Sequence, residues 1–378
     1  MSHRIRMGMV GGGVGAFIGP IHRIASRMDD QYELVAGVFS NIEQENTESA
    51  ELLGVASERC YADYREMFAV EAEREDGIEV VVIVTPNFLH FEVAKAALEA
   101  GLAVICEKPM TLTLAEAIEL DQLAESTGAP FLLTHTYSGY PLVQEARQLI
   151  ADGEIGDVLT FSVQYLQEWL TKEPEKNDRQ AAWRLDAKLA GAAGCLGDIG
   201  THAFQLASYI MDADLTSISA NLTRSIPSRQ VDDNVHATLV FNDHIRGHLW
   251  ASQTAPGIEN NLNIKVVGRK ATLEWSQEEP NVMWLRPYGE PSKRITRRAE
   301  FLGEYAASST RTPGGHPEGY LEAFANLYSK FAEKIRKQGF KKGWLADTRT
   351  GVQGMQFIEL AIESDQRGGE WVHVGEDA

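Results

Sequence analysis

The sequence predicts an α/β protein: a parallel sheet with helices on both faces, followed by an α+β part built on a large, mostly antiparallel open sheet. Three observations predict it. In the first third, unbroken apolar runs alternate with helical patterns, as strands buried on both faces require. A glycine-rich turn, Gly11-Gly12-Gly13-Val14-Gly15-Ala16, separates the first apolar run from the first helix. Beyond Thr134 the apolar runs give way to strands that alternate polar and apolar residues, the pattern of a sheet with one solvated face.

Taken in order, Arg4 to Val10 reads as a short strand, Pro20 to Met28 as a helix, Tyr32 to Phe39 as a strand and Asn41 to Leu53 as a helix. Gly77 to Thr85 contains Ile78-Glu79-Val80-Val81-Val82-Ile83-Val84, a strongly buried strand. The helix His90 to Ala100 is ended by Gly101, and the helix Leu114 to Thr127 by Gly128, as residues free to turn left-handed end helices. Leu102 to Cys106 and Pro130 to Thr134 complete the first set of strands. After a helix at Leu142 to Asp152, strands are expected at Leu159–Leu166, Ile218–Thr223, Asn234–Phe241, Gly247–Ser252, Asn263–Val267, Ala271–Trp275 and Val282–Leu285. Two helices close the chain, Glu318 to Lys337 and Thr348 to Glu363. The 378 residues favour two domains, at roughly 150 residues each, with the boundary at Thr134: residues 1–134 and 135–378.

Composition narrows the function. With 44% hydrophobic residues there is material for packed cores. A formal charge of −19 argues against nucleic acid and anionic membrane as partners, which call for basic surface. Cys60, Cys106 and Cys195 are far apart and odd in number; they suggest a reducing, cytoplasmic compartment and show neither a disulfide framework nor zinc spacing. The strand beginning at Ile5 leaves no room for a secretion signal, and no apolar run approaches the ~20 residues of a membrane helix.

The glycine turn has the form Gly11-x-Gly13-x-x-Ala16 between a strand and a helix, the setting in which backbone N–H groups at a helix start cradle a pyrophosphate. It suggests a site for NAD or NADP, with an ordinary flexible turn as the alternative. An acidic residue at the end of the second strand would read the ribose diol of NAD. Here that strand runs into Ser40-Asn41, with no carboxylate and no nearby arginine or lysine, so the choice of dinucleotide stays open. Thr85-Pro86-Asn87 and His90 follow the third strand and fall on the cofactor side; Asn87 as a simple cap of the next helix is the alternative.

Glu107-Lys108-Pro109 closes the buried run Val104-Ile105-Cys106 at the same carboxyl edge. A lysine beside a nicotinamidium ring has its ammonium form disfavoured by like charge, which suits it to a substrate hydroxyl. Asp198 and His202 are four apart, the spacing of one helix face, amid Gly191, Gly194, Gly197 and Gly200. Histidine is the side chain suited to proton transfer near neutrality; an N-cap aspartate with a half-buried histidine is the plain alternative. No third and fourth ligand suggest a metal site. Tyr137, Tyr140, Trp183, Arg184 and His316 are candidate substrate contacts, each with packing or surface exposure as its alternative, and Asp232-Asp233-Asn234 reads first as a turn. Trp169, Trp250 and Trp275 are assigned to the second sheet or its interface.

In order and spacing, the Gly11–Ala16 turn, the Thr85-Pro86-Asn87-x-x-His90 loop, Glu107-Lys108-Pro109 and Asp198-Ile199-Gly200-x-His202 resemble the glucose-fructose oxidoreductase/inositol dehydrogenase/rhizopine-catabolism (Gfo/Idh/MocA) family along nearly the whole chain. The resemblance implies an N-terminal Rossmann domain binding NAD or NADP and a C-terminal domain with a large open sheet, an NAD(P)-dependent dehydrogenase acting on a sugar or cyclitol hydroxyl, or on its ketone, and a homodimer or homotetramer formed through that sheet. It places Lys108 and His202 at the reacting oxygen, with Asp198 holding substrate or orienting the histidine. Two other functions fit the same motifs: a lyase or glycosidase-like enzyme that retains NAD and oxidises transiently, and a dinucleotide-binding sensor without turnover.

Overall fold

The computed structural model describes residues 3–173, 191–337 and 343–375. The chain forms two compact units, Met1–Thr136 with Phe324–Val352, and Tyr137–Ala323 with Gln353–Ala378. The return of Phe324–Val352 to the first unit is not part of the two consecutive stretches expected from the sequence.

The first unit runs β1 (Ile5–Gly11), α1 (Ile18–Met28), β2 (Tyr32–Val38), α2 (Glu43–Leu53), α3 (Tyr64–Ala72), β3 (Val80–Val84), α4 (His90–Glu99), β4 (Ala103–Cys106), α5 (Leu114–Thr127) and β5 (Phe131–Leu133). Its sheet is parallel throughout, in the order β2-β1-β3-β4-β5. Every residue of β3 and β4 is buried, which is why both read as unbroken apolar runs. A capping box starts α5: the Thr113 hydroxyl accepts from Glu116 N–H while the Glu116 carboxylate takes the Thr113 N–H. Helix α3 has no counterpart among the expected elements. Its inward face carries a charge, Glu71, which takes hydrogen bonds from Arg59 Nε (3.0 Å) and Tyr61 Oη (2.8 Å), so the apolar stripe that would announce a helix is broken.

Helix α9 (Tyr320–Ile335) and the start of α10 (Thr348–Gln366) bring the returning segment onto this unit. Tyr32 Oη donates to the Tyr328 carbonyl at 2.8 Å, Lys334 Nζ to the Phe131 carbonyl at 3.2 Å, and Leu133 N–H to the Ala346 carbonyl at 3.0 Å. That last bond satisfies the exposed side of the short edge strand β5.

The second unit contains α6 (Pro141–Ala151), β6 (Val158–Leu166), a π-helical turn (Leu196–Gly200), α7 (Thr201–Met211), β7 (Leu215–Thr223), β8 (Asn234–Phe241), β9 (Ile245–Ser252), β10 (Asn261–Gly268), β11 (Ala271–Ser276), β12 (Val282–Pro287), β13 (Lys293–Thr296), α8 (Glu304–Ser308) and β14 (Val372–His373). Its nine strands are ordered β13-β12-β11-β10-β6-β9-β8-β7-β14, and only the central β6–β9 pair is parallel. The unexpected strands β13 and β14 are the two edges, short and in part charged, as edges of natural sheets are. Helix α7 packs across β6, β9 and β10, with Phe204 stacked on Phe357 (4.5 Å, 6°) and on Phe241 (5.8 Å, 20°). Burying one such ring contributes about 2–3 kcal/mol. Along β9 burial alternates, with Arg246, His248 and Trp250 on the exposed face. There the Trp250 ring stacks on His236 (5.5 Å, 16°) and its Nε1 donates to Asn234, whereas Trp275 is buried under Tyr140 (5.4 Å). Trp169 is exposed and donates to Gln167 Oε1 at 3.0 Å. Among the described residues no helix is long and apolar enough to cross a membrane.

Candidate active site

In the first unit β1, β3 and β4 are neighbours in a parallel sheet, so their carboxyl ends lie along one edge. That edge carries the Gly11–Ala16 turn, Thr85-Pro86-Asn87 and Glu107-Lys108, in that order.

The turn fits an anionic dinucleotide. Gly11 and Gly12 have φ of +82° and +72°, which residues with a Cβ rarely adopt. A Cβ at Gly13 would lie 2.7 Å from Ser49 Oγ and 2.8 Å from the Phe39 carbonyl. The crowding at Gly13 thus comes from α2 and β2 themselves, a reason the motif alone does not reveal. Val14 is exposed and its N–H donates to Ser49 Oγ (3.0 Å), while Ala16 N–H closes the turn onto the Gly13 carbonyl (3.1 Å). Helix α1 begins at Ile18 with no side-chain cap and no acidic residue in its first turn, leaving its end positive in character. Thr85 Oγ1 is buried without a hydrogen-bond partner among the described residues, an acceptor and donor left for a ligand at this edge. Asn87 is buried in a 3₁₀ turn, and α4 starts behind Leu89 with no side-chain cap, so Asn87 does not cap that helix. His90 is fully buried. Its Nδ1 lies 2.8 Å from the Pro109 carbonyl and its Nε2 3.0 Å from the Thr85 carbonyl. Burial lowers its pKa against the pull of those two carbonyls. Both ring nitrogens are used within the protein, and His90 ties the loop after β3 to the loop after β4.

Lys108 is half-buried at the end of β4 and joined to Pro109 by a cis peptide bond. Behind it, Glu107 accepts from His22 Nε2 (2.9 Å), from Thr134 Oγ1 and from the Lys108 N–H (3.3 Å). A carboxylate only accepts, so His22 Nε2 carries a proton; its Nδ1 lies 2.7 Å from the Tyr328 hydroxyl. Burial alone would raise the Glu107 pKa; the His22 bond and charge, Thr134 and Lys108 outweigh it and hold it below the usual carboxylate range. His135, buried next to this group, is pushed down to about 3, first by burial and then by Lys108. It is a neutral imidazole near neutral pH.

In the second unit Asp198 lies in the π-helical turn and His202 in the first turn of α7. The helix cap is Gly200, so Asp198 is not an N-cap. Its Oδ2 instead accepts from Gln253 Nε2 at 2.8 Å. Single π turns recur at functional sites. The approach to Asp198 is fixed by Asp232, whose buried carboxylate takes the Gly194 and Leu196 N–H groups, both at 2.7 Å. A Cβ on Gly194 would fall 2.3 Å from the Asp232 carbonyl, so glycine is required there by the protein itself. At Gly197 and Gly200 an added Cβ meets only ordinary contacts.

The His202 imidazole is largely buried and edge-on to Tyr137 (5.0 Å, 86°), with Tyr165 at 6.2 Å. Tyr137 donates to the Tyr165 hydroxyl, which donates to Asn260 Oδ1 at 2.9 Å. Burial pushes Tyr137 up to about 12, so it remains a phenol near neutrality. Tyr140 stacks with Tyr137 and covers Trp275, a packing position. His316 is exposed in a loop, its Nδ1 3.2 Å from the Pro313 carbonyl. Trp183 and Arg184 lie outside the described residues. Sequence reasoning missed His22, Thr134, Tyr165 and Gln253, none of which belongs to a recognisable motif. Asp232 reads in the sequence first as a turn and only second as part of a site. Among the described residues no three His, Cys, Asp or Glu side chains are grouped to hold a metal ion.

The model of the oxidoreductase family with an NAD-binding Rossmann fold matches residues 5–135, and that of the GFO/IDH/MocA C-terminal domain matches residues 143–274. YfiI, an uncharacterized oxidoreductase of Bacillus subtilis, is 35% identical over 98% of this chain and 97% of its own length. The levoglucosan dehydrogenase of Pseudarthrobacter phenanthrenivorans is 28% identical over 79% of this chain and 80% of its own. Among solved structures, the inositol dehydrogenase homolog complexed with NAD+ from Azotobacter vinelandii superposes with a TM-score of 0.94 at 35% identity, covering 98% of both chains. With the parallel sheet, the glycine turn and both domain models in agreement, the chain belongs to the Gfo/Idh/MocA family of NAD-binding oxidoreductases.

Proposed function

We propose that the protein is a dehydrogenase that oxidises a sugar or cyclitol hydroxyl, or reduces the corresponding ketone, with NAD or NADP. The observation that carries this reading is the common edge of the parallel sheet: Lys108 follows β4, next to β3, after which Thr85 comes, and β4 is two strands from β1, which leads into the glycine turn. Open α/β sheets bind their ligands at such an edge, which supports a proton-handling role for Lys108. Likeness to an inositol dehydrogenase homolog and to levoglucosan dehydrogenase supports the substrate class.

In this reading the Gly11–Ala16 turn, Ser40-Asn41, Thr85-Pro86-Asn87 and the Glu107-Lys108 segment hold the dinucleotide, and His90 fixes two of these loops to each other. The bound nicotinamide supplies the hydride acceptor. Lys108 hydrogen-bonds the substrate oxygen and His202 takes its proton. Asp198, held by Gln253, binds a neighbouring hydroxyl or orients the histidine. Tyr137 offers a neutral phenol to the substrate; Tyr140 supports it; Trp183, Arg184 and His316 are further candidates for substrate contact. Residues 1–134 serve the dinucleotide, and residues 135–378 serve substrate and assembly. The exposed face of the second sheet suits a homodimer or homotetramer. The free cysteines Cys60, Cys106 and Cys195 suit the cytoplasm.

The test is a panel of sugars, cyclitols and their keto forms with NAD and NADP, followed by absorbance of the reduced nicotinamide. Stoichiometric reduced cofactor with at least one polyol is expected. Turnover without its release would favour a lyase that retains NAD; binding without any turnover would leave a sensor.

A further inference from the structure

A row of hydrogen bonds runs from an exposed indole to the buried phenol beside His202, and its direction is fixed from one end. Trp169, just past β6, is exposed, and its Nε1 donates to Gln167 Oε1 at 3.0 Å. An indole N–H only donates, so this end admits no reversal. With its oxygen so engaged, Gln167 turns Nε2 to Asn260 Oδ1, at 2.7 Å. An amide nitrogen also only donates, so the Asn260 atom it meets is the oxygen. That same oxygen lies 2.9 Å from Tyr165 Oη and carries no proton, so Tyr165 gives its own. The Tyr165 hydroxyl then has no proton for Tyr137, and Tyr137 donates to it. The backbone at the start of the row is held as well: the Gln167 N–H donates to the Ser252 carbonyl (2.8 Å), and the Gln167 carbonyl accepts from the Ala255 N–H (2.9 Å).

We propose that Trp169, Gln167 and Asn260 are positioning residues that make Tyr137 a hydrogen-bond acceptor, so that the site takes at this point a group that donates: a hydroxyl of the sugar or cyclitol rather than a carbonyl, ether or carboxylate oxygen. The inference rests on the reading of His202 and Asp198 as the substrate site. Tyr137 belongs to that neighbourhood. Its ring stands edge-on to His202 at 5.0 Å. Burial pushes both phenols up in pKa, and the charge of Asp198 adds to the push on each. A phenol oxygen carries one proton and two lone pairs. The proton goes to Tyr165. Asn260 also bonds Tyr137 and pulls its pKa down against burial, as a donor to the phenol oxygen does. That bond occupies one lone pair, and the second is the place for a ligand hydroxyl. A group without a proton would set lone pair against lone pair there and leave a buried acceptor unpaired. The exposed Trp169 thus acts on the site without touching it, by denying the row of bonds its reverse direction.

The experiment measures, by calorimetry on the NADH-saturated protein, dissociation constants of myo-inositol, D-glucose and levoglucosan, and then of the monodeoxy and monodeoxyfluoro analogues of the one bound most tightly. Fluorine keeps an acceptor and loses the donor. The ring position facing Tyr137 is the one whose deoxy analogue loses affinity in the wild type but not in Tyr137→Phe. At that position the deoxy and fluoro analogues should both bind about 10–100-fold more weakly than the parent, the effect of leaving one buried acceptor unpaired. Asn260→Leu releases the Tyr165 proton to Tyr137 and the Tyr137 proton to the ligand, so the fluoro analogue should then bind several-fold better than the deoxy one. Asn260→Asp keeps the acceptor and should keep the wild-type order. Trp169→Phe, at an exposed position, should move the ratio of fluoro to deoxy affinity in the direction of Asn260→Leu by a smaller factor. A fluoro analogue bound like the parent in the wild type, no ring position that responds to Tyr137→Phe, or the same ratio in Asn260→Leu and Asn260→Asp would overturn the inference. The expected ratios in a protein that passes no hydride to NAD or NADP would leave it standing and remove only the proposed dehydrogenase activity.

Discussion

Glu107 in the first unit and Asp232 in the second are both buried carboxylates one step behind a candidate catalytic group, and their pKa values move in opposite directions. Burial penalises the anion in both. Around Glu107 the pocket supplies His22, Thr134 and Lys108, and the acid is held below the usual range. Around Asp232 it supplies the Leu196 and Gly194 N–H groups, while the adjacent Asp233 adds like charge; burial wins and the acid is pushed up to about 6. Asp233 itself is bonded by Arg229 Nη1 at 2.6 Å. Backbone N–H dipoles position a buried carboxylate, but a cationic or cation-forming partner is what keeps it charged. The two units therefore hold Lys108 and Asp198 by devices of unequal robustness, one anchored by a paired anion and one by an anion near its titration point.

The largest effects belong to the groups being held. Lys108→Ala and His202→Asn should each lower kcat by about 10²–10⁴-fold, the range for losing a positioned proton-transfer group, while NADH binding stays within a few-fold of the wild type. Steady-state turnover on the best polyol and NADH titration together decide this. Near-normal kcat in either variant would take that residue out of the chemistry and leave its support without the purpose assigned to it.

How much of this was legible follows from the range of the interactions involved. The strands β3 and β4, the capped helix α5 and the register change into alternating strands are written in local pattern, so they could be read directly. The same holds for the Glu107-Lys108-Pro109 and Asp198-x-x-x-His202 motifs. What lay beyond reading is carried by pairs distant in the chain. His22 meets Glu107 across 85 positions, and Tyr328 reaches His22 across 306. Helix α3 hid behind the buried charge of Glu71. Asp232 looked like a turn because its function is to bond the backbone N–H groups of Gly194 and Leu196, which no side-chain pattern encodes.

Next in size is the cost of breaking the paired anion. Glu107→Ala leaves His22 and Thr134 facing an emptied pocket and should destabilise the protein by about 3–5 kcal/mol, as removal of one member of a buried pair does. Glu107→Gln, which keeps shape and one acceptor, should cost less, about 1–3 kcal/mol. Urea unfolding at neutral pH measures both. Because the folded pKa is depressed, the contribution of Glu107 is present above the unfolded value near 4.3 and is lost as pH falls through the lower folded value. The gap between wild type and Glu107→Gln should therefore close only in strong acid. A gap that is constant to pH 3 would mean that Glu107 acts through shape alone.

The smallest effect tests the other carboxylate, and its sign is reversed. Asp232 titrates at about 6 in the folded chain and near 3.9 unfolded, so between those values the native state binds more protons. Stability from this group is then complete below about pH 4 and declines as pH rises through 6, by at most about 3 kcal/mol for a shift of this size. Asp232→Asn cannot titrate. The wild type should gain stability relative to this variant on going from pH 7 to pH 5, whatever the other carboxylates do, since they are common to both proteins. Asparagine offers one oxygen where the carboxylate offered two, so either the Gly194 or the Leu196 N–H loses its acceptor. The turn leading to Asp198 loosens, and kcat should fall several-fold with little change in NADH binding. A difference in stability that is flat from pH 7 to pH 5 would place Asp232 with Glu107, as a carboxylate kept charged, and the contrast between the two units would disappear.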